Sequence, residues 1–398
     1  MAAGRFFYVA TLGALSALTA IAIDISLPGQ PQIASALGAH PEAGAVLVSG
    51  YFFGFAIGQL IWGPLSDRFG RLAPLYVGMS GFLAASLVCA LATSFELLTW
   101  ARVVQGAFGG AGPVIARALA RDEGGGARTT ALLSTMSIAV GAGPLLAPPL
   151  GSALIAVFGW RSPFWFLVAF SLLLLLGMAL FLSTAGRAEG EARPRASLRA
   201  ALPLLLRSEV LVPTIIASAI YFGYGAFLAI SAAAIFDRYH LGATPFGLLF
   251  SIAAAAFVLG SMAARQLTRL SRDFMISAGC VIAAAAGVGL IAQPPAGAPL
   301  AVFWALVTTY VLAFGIIAPL TTAKALEPAG EAAGAISSLI GTITMLAGAF
   351  GSDLAGRKLF ADPTEALSML MALSALSCLA VQLIAILVAA AHRRSAPA

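Results

Sequence analysis

Long apolar segments alternate with short polar gaps along the whole chain. Each apolar segment runs about 18–25 residues, which suits a membrane-spanning α-helix, whereas a barrel strand needs only about 9–11 residues. The pattern predicts twelve spans, at about residues 7–29, 43–63, 73–92, 95–119, 131–157, 162–184, 210–235, 243–265, 274–292, 299–323, 332–353 and 365–391. We therefore expect an all-α integral membrane protein.

The first span shares features with a signal peptide, because Arg5 precedes its apolar stretch. It is longer than a signal sequence, an acidic residue interrupts its end, and eleven further spans follow. We expect it to be retained as the first membrane helix.

The longest polar gap divides the predicted spans into two sets of six. We expect residues 1–184 to form an N-terminal six-helix half, 185–208 a cytoplasmic linker and 209–398 a C-terminal six-helix half. Within the linker, Leu198 to Leu206 has the pattern of a short amphipathic helix. Gly58–Arg71 and Gly260–Arg272 echo each other at the ends of corresponding spans, and repeated halves around a central substrate pathway are typical of transporters.

Composition agrees with the membrane interpretation. The chain is 60% hydrophobic and only 10% charged, whereas soluble domains carry about 25% charged residues. The three cysteines lie in predicted spans without metal-ligand spacing, so we expect buried apolar roles and neither a metal nor a cofactor. The sequence has no nucleotide-binding glycine loop and no nucleophile–histidine–acid arrangement, and we expect no enzyme.

The basic residues predict the orientation of the chain. If the N-terminus is cytoplasmic, Arg161, Arg238, Arg357 and Lys358 lie on the opposite face, Arg102 lies inside a span, and the other 17 of the 22 Lys and Arg residues are cytoplasmic. This asymmetry predicts that both termini are cytoplasmic. The net charge of +6 then reflects topology, and we expect no nucleic-acid partner because no stacking-aromatic motif accompanies it.

Asp24 is a carboxylate near the outer end of the first apolar run. A charge costs about 2.5–3.5 kcal/mol at mid-membrane and less toward the ends, so such residues usually serve protons, ions or substrates. Alternatively, Asp24 marks the end of the helix and faces water, since Pro28 and Pro31 follow closely.

A charged motif follows the second span and reads GPLSDRFGR from Gly63 to Arg71. Gly63 and Gly70 permit a tight turn and close helix approach, while Asp67, Arg68 and Arg71 can hold two helix ends together in one state and release them in another. The charges alone are equally consistent with an ordinary basic loop. The full string resembles the signature loop of the major facilitator superfamily, although Leu72 stands where that family often has another basic residue.

Four further stretches resemble one branch of that superfamily, the multidrug proton antiporters of the bicyclomycin and chloramphenicol resistance type. They are Asp24–Pro28 with Pro31, Arg102–Gly106 followed by Arg117, Arg121 and Asp122, the proline–glycine motif with Gly143, Pro144, Pro148 and Gly151, and Ala318–Gly341. Two departures are Ser26 in place of an aromatic residue and Leu320 in place of Asn. Lys324 is an unusual charge.

The resemblance implies two six-helix halves around a central cavity and export of small lipophilic or cationic drugs coupled to proton influx. It also implies a bacterial inner-membrane protein, and we expect a monomer whose partners are a small-molecule substrate, protons and the lipid bilayer. An exporter of one endogenous metabolite, such as a sugar or amino-acid derivative, is the alternative. A channel is disfavoured because no filter-like loop is present.

The family pattern suggests Asp24 and Arg102 as the proton-coupling pair. Asp24 lies before the outer end of span one and Arg102 about two turns after the outer start of span four, so both fall roughly level in the outer half of the membrane. Burial favours the neutral form of a carboxyl group, whereas a nearby cation favours the charged form. Arg102 can equally be a structural hydrogen-bond donor to helix backbones.

Two further sets of residues are candidates for a functional role, although a purely structural role also explains each of them. The glycines and prolines of span five suit close packing and a local bend, and packing alone is the simpler interpretation. Aromatic side chains can bind large lipophilic or cationic compounds, although lipid contact or packing is the default for any one of them. The candidate substrate-lining residues are Tyr51, Tyr221, Phe222, Tyr224, Phe227 and Tyr310.

Overall fold

The computed structural model describes residues 2–123, 126–182, 198–267, 270–293 and 298–395, and within these ranges the chain is helical and contains no strand. The first helices are α1 (Ala2–Asp24), α2 (Gln30–Ala36), α3 (Ala45–Phe69), α4 (Leu72–Leu91), α5 (Phe95–Gly109), α6 (Ala111–Asp122), α7 (Gly126–Phe158) and α8 (Ser162–Gly177). They are followed by α9 (Leu198–Leu205), α10 (Ser208–Tyr239), α11 (Ala243–Gln266), α12 (Arg272–Ile291), α13 (Leu300–Leu326), α14 (Ala333–Ala355) and α15 (Pro363–Ser395).

Eleven helical segments among the described residues are long and apolar enough to cross a membrane. The remaining predicted span, at about 95–119, is the pair α5 and α6, neither of which is long enough alone. Helical hydrogen bonding continues across the junction, because the amide of Gly110 donates to the carbonyl of Gly106 at 3.1 Å and the amide of Val114 donates to that of Gly110 at 3.3 Å. The all-α membrane fold predicted from the sequence is confirmed.

The first span differs from its predicted bounds. Helix α1 begins before residue 7 and ends at Asp24. A single 3-10 turn, Leu27–Gly29, and the short helix α2 then continue the chain. Pro28 and Pro31 each stand in the first turn of these two pieces, where the missing amide hydrogen costs no helical bond. The prolines therefore divide the segment into short helical pieces.

The chain packs as two compact units. The first unit comprises Met1–Pro194 with Ile235–Ser251, and the second comprises Arg195–Ala234 with Ile252–Ala398. Most of the predicted linker lies outside the described residues, and the predicted halves with their bounds stay a prediction. The short helix predicted in that segment forms as α9.

Close helix packing in the first unit depends on glycines where α3 crosses α5. A Cβ atom on Gly54 would lie 1.9 Å from the carbonyl oxygen of Val103, and one on Gly106 would lie 2.1 Å from that of Tyr51. Only glycine fits at such backbone contacts. The approach carries the inner face of α5, including Arg102, into the core of the unit.

Candidate functional site

Two charged side chains are buried among the residues whose burial the structure describes, and both belong to the first unit. Asp24 is 3% exposed and Arg102 is 0% exposed. The other buried polar side chains in the described ranges are serine, threonine and glutamine. Because charges are rarely buried without a structural or functional need, these two residues define the candidate site.

Asp24 ends α1 without facing water. The sequence interpretation that it marks a helix end is right about the backbone, but the low exposure contradicts a solvated side chain. Helix α7 covers this segment: a Cβ atom on Gly151 would lie 2.0 Å from the carbonyl oxygen of Ile25, and one on Gly29 would lie 2.7 Å from Cδ1 of Ile155. The buried position therefore results from close contact between α7 and the end of α1.

The proline–glycine motif lies at this contact. Gly151 faces Ile25, and Gly143 faces α1 about two helical turns earlier in α7, where an added Cβ atom would lie 3.3 Å from Cβ of Ala20. Pro144 and Pro148 lie inside α7, which remains helical from Gly126 to Phe158. The structure thus brings the motif against the helix that carries Asp24.

Arg102 is held by neutral acceptors from three helices. Its Nη1 donates to Oε1 of Gln105 at 2.7 Å and to the carbonyl of Ala22 at 3.2 Å, and its Nε donates to the carbonyl of Leu47 at 3.4 Å. The guanidinium carbon lies 4.6 Å from the ring centroid of Tyr51. Arg102 therefore ties together α1, α3 and α5.

Gln105 extends this network and was not a predicted site residue. It lies one turn after Arg102 on α5 and is fully buried, and its Nε2 donates to Oγ of Ser86 at 2.7 Å. The i, i+3 spacing from a buried arginine was the available sequence signal.

Asp24 and Arg102 lie at one level without forming an ion pair. The guanidinium reaches the carbonyl of Ala22, two residues before Asp24, but no salt bridge or hydrogen bond joins the two side chains in this part of the described chain. Nη2 of Arg102 has no hydrogen-bond partner among the described residues, and neither amide atom of the buried Gln30 has one. The arrangement favours the structural-donor interpretation of Arg102 in this structure.

The motif after the second span is mostly helical, in contrast to the predicted loop. Helix α3 continues through Pro64 to Phe69, and Gly70 forms the turn with a φ of 80° that strongly favours glycine. A Cβ atom added to Gly63 would have no other atom within 4 Å. The predicted close approach of another helix at Gly63 is therefore wrong.

Arg71 connects this motif to the end of α6. Its guanidinium forms salt bridges with Asp67 and, at 2.8 Å, with Asp122, and it also donates to Oγ of Ser66 at 2.9 Å. Burial lowers the pKa of Arg71, but the hydrogen bonds and charges of Asp122 and Asp67 outweigh burial and raise it. The predicted charged cluster therefore joins α3, α4 and α6.

The other predicted charges of this region lie nearby on the helices. Nε of Arg117 donates to the carbonyl of Pro113 at 2.9 Å, and Nε of Arg121 donates to that of Arg117 at 3.3 Å. Arg68 lies beside the ring of Phe69, 5.3 Å from its centroid.

Two of the predicted aromatic residues of the second unit pack on one ring that the prediction missed. Tyr224 stacks on Phe314 with centroids 4.1 Å apart, and Tyr221 meets the same ring edge-on at 5.0 Å. Phe257 completes the cluster at 5.5 Å from Phe314. The span containing Phe314 is mostly apolar, so no periodicity distinguished this residue.

The remaining aromatic candidates divide by burial. Tyr51, Phe227 and Tyr310 are buried inside their units, which favours packing roles in this structure. The hydroxyl of Tyr310 is satisfied within the core, at 2.6 Å from Oγ of Ser374. Phe222 is partly exposed and lies against Phe350, with centroids 5.9 Å apart.

Comparison with known proteins supports a transporter. The sequence profile of the Major Facilitator Superfamily matches residues 12–352. The bicyclomycin resistance protein homolog of Haemophilus influenzae is 28% identical over 361 residues, which cover 89% of this chain and 90% of that protein. Multidrug resistance protein D of Escherichia coli is 28% identical over 335 residues, covering 82% of each chain.

A solved structure has the same fold. It is a bacterial homolog of the human lysosomal transporter Spinster in an inward-facing, unoccupied conformation, with a TM-score of 0.69 and 16% identity, covering 97% of this chain and 96% of that one. At this identity the likeness concerns the fold alone.

Proposed function

Because the chain belongs to the major facilitator superfamily and is therefore a multi-pass membrane transporter of small molecules, we propose that it exports small lipophilic or cationic drugs in exchange for protons. Relatives named for multidrug and bicyclomycin resistance support the drug as cargo. We further propose that it acts as a monomer in the bacterial inner membrane with both termini cytoplasmic.

The observation that carries the proton-coupling proposal is the burial of Asp24. Among the described residues it is the one buried carboxylate, and no cation is paired with it. A carboxyl group in an apolar setting favours its neutral, protonated form, and it releases the proton when water or a cation reaches it. Asp24 is thus suited to bind a proton in one conformation and to release it in another.

Alternating access supplies the two conformations in this proposal. Exposure of Asp24 to the outer side would load a proton, and exposure to the inner side would release it, while the drug moves outward in the opposite step. The motif in α7 contacts the Asp24 segment directly, so a bend or shift of α7 would change the surroundings of the carboxyl group. The cluster around Arg71 would hold helix ends together in one of the two states.

A growth-inhibition panel with Asp24→Asn tests cargo and coupling together. In a pump-deficient bacterial host, the wild-type chain should raise resistance to several lipophilic or cationic drugs, and Asp24→Asn should lose that resistance at equal membrane abundance. Glu96→Gln is the matched control, because Glu96 is an exposed carboxylate in the first turn of α5. Resistance that survives in Asp24→Asn would exclude Asp24 as the coupling acid.

A vesicle assay separates export from other activities. In proteoliposomes, the wild-type protein should move a drug uphill when a pH gradient is imposed, and a protonophore should abolish that movement. The Asp24→Asn protein should still exchange labelled for unlabelled drug downhill while ignoring the gradient. If only one endogenous metabolite and no drug were moved, the drug-export proposal would be wrong while the coupling role of Asp24 would stand.

A further inference from the structure

A cavity of about 470 Å³ that opens to the surface lies in the second unit, among α10, α12, α13 and α15. Its size falls within the range of about 300–1,000 Å³ that holds small organic ligands. Most of its wall is hydrocarbon, including Ile216, Ile276 and Ile386, and its polar lining consists of Lys324, Asp273 and Gln382. The cavity therefore has the apolar body and few polar groups of a ligand site.

The polar groups of the cavity are held in place. Lys324, near the end of α13, forms a salt bridge with Asp273 in the first turn of α12. Gln382 is 5% exposed, and its Nε2 donates to Oγ of Ser277 at 2.9 Å. These interactions order the polar groups before any ligand arrives, which reduces the entropy lost on binding.

We propose that this cavity binds an amphipathic anion, with its hydrocarbon tail against the isoleucines and its anionic group on Lys324. The shared chemistry is an acyl or alkyl chain that ends in a carboxylate or phosphate, whether from a free amphiphile or from a membrane lipid.

The solvent exposures of Lys324 and Asp273 decide whether the ligand carries a negative or a positive charge. The side chain of Lys324 is 34% exposed, and that of Asp273 is 65% exposed. An anion that replaces Asp273 releases a carboxylate already largely in water and leaves the deeper ammonium group paired. A cation bound to Asp273 would instead leave Lys324 without a partner beside apolar walls, which is costly. An ammonium group also has three N–H donors and can bind the ligand while it keeps Asp273.

Binding of ten-carbon probes to the full chain in phosphatidylcholine nanodiscs tests the proposal. Equilibrium dialysis, with empty nanodiscs subtracted, compares decanoate, decanol and decyltrimethylammonium. We expect decanoate to bind most tightly, Lys324→Met to weaken it about tenfold or more, and Asp273→Asn to tighten it several-fold by removing the competing carboxylate. Decanol binding should not respond to either change.

Two controls separate the site from general effects. Lys358→Met removes the chain's only other lysine, which is exposed, and should leave decanoate binding unchanged. Ala385→Phe fills the cavity and should abolish binding of decanoate and decanol alike. Competition by phosphatidylglycerol in the nanodisc would identify a membrane lipid as the source of the anion, and absence of competition would identify a free amphiphile.

Lys324→Met and Asp273→Asn should change decanoate binding in opposite directions. The proposal therefore stays testable even if Lys324→Met fails to fold, because Asp273→Asn by itself must bind decanoate more tightly. Unchanged or weaker decanoate binding in Asp273→Asn would overturn the proposal. Preference for decyltrimethylammonium, lost in Asp273→Asn, would also overturn it and assign the cavity to cations. These outcomes are independent of drug export, since none of them measures transport.

Discussion

Arg102 is a buried cation whose described hydrogen-bond partners are all neutral. Hydrogen bonds from a charged donor contribute about 1.5–3 kcal/mol each, so three neutral acceptors offset part of the cost of burying the charge. Arg102 joins α5 to α1 and α3 through these bonds. Its structural role can therefore be tested separately from transport.

Arg102→Lys retains the charge but removes the forked donor. A lysine cannot reach Gln105, Ala22 and Leu47 at once, and we expect the free energy of unfolding to fall by about 2–4 kcal/mol. Thermal unfolding of the purified protein in detergent measures the change. Arg161→Lys is the matched control, because Arg161 also donates to a backbone carbonyl, that of Ala92, but is exposed. Equal losses in both variants would contradict the role of burial.

The two glycines of the charged motif should respond differently to alanine. Gly70 has a backbone conformation that side chains rarely adopt, and Gly70→Ala should lower the free energy of unfolding by about 1–3 kcal/mol. Gly63 lies inside α3 with open space around it, so Gly63→Ala should be neutral or stabilise by up to about 1 kcal/mol. Thermal unfolding measured side by side gives the comparison. A destabilising Gly63→Ala would show that the helix is not formed there.

The buried charges could be located from the sequence, but the buried neutral polar side chains could not. Asp24 and Arg102 could be found because a charge inside an apolar run is rare in sequence. Gln105 carried only the weak signal of its i, i+3 spacing from Arg102, and Gln30 carried none, because the burial of neutral polar residues arises from packing between helices. Phe314 was missed for the related reason that an aromatic residue in an apolar span carries no periodic signal.

The contact between α1 and α7 is the element on which the coupling proposal depends. An added Cβ atom on Gly151 would lie 2.0 Å from the carbonyl oxygen of Ile25, next to Asp24, and would clash with backbone. An added Cβ atom on Gly143 would come no closer to backbone than 3.8 Å, at the nitrogen of Ile21 in α1. A backbone contact cannot be relieved by a rotamer change, so a methyl group at Gly151 must move a helix.

Gly151→Ala should therefore weaken both stability and coupling. We expect a loss of about 1–3 kcal/mol in unfolding free energy and a larger loss in pH-driven drug uptake into vesicles than in downhill exchange. Gly143→Ala is the control, since its Cβ atom would approach a side-chain methyl of Ala20 at 3.3 Å, and it should be milder in both assays. A more harmful Gly143→Ala would place the critical contact elsewhere on α7.

The length of the apolar runs predicted which segments form helices, but it did not predict where the helices end. The polar residues after Gly63 indicated departure from the membrane, and the sequence interpretation took this as the end of the helix. Ser66 and Asp67 instead stay in α3 and bond to Arg71, so side-chain interactions extend the helix beyond the apolar run. Hydropathy indicates whether a segment lies in the membrane or in water. The position of a helix end depends instead on local hydrogen bonds and ion pairs.

At the scale of the whole molecule, each unit carries an ion pair at the corresponding place in the predicted repeat. In the first unit Arg71, just before α4, pairs with Asp122 at the end of α6. In the second unit Arg272, the first residue of α12, pairs with Glu327 directly after α13. These arginines end the two stretches that echo each other in sequence, so the degenerate second copy retains the interaction although its motif has changed.

The two pairs should nevertheless contribute unequally. Arg71 is 15% exposed and has two carboxylate partners, whereas Arg272 is 39% exposed and has one partner among the described residues. An exposed pair contributes about 0–1 kcal/mol. We therefore expect Arg71→Gln to reduce thermal stability and drug export strongly and Arg272→Gln to reduce them little, as measured by thermal unfolding and resistance at equal membrane abundance.

A charge exchange distinguishes pairing from simple loss of a side chain. The double variant Arg71→Asp with Asp122→Arg should recover part of the export lost in Arg71→Asp, since the attraction between the two positions is restored with its sign reversed. Recovery will be incomplete, because Asp67 would then repel the new carboxylate at position 71. If the double variant were no better than Arg71→Asp, the guanidinium would act through Ser66 and the helix end instead of through its attraction to α6.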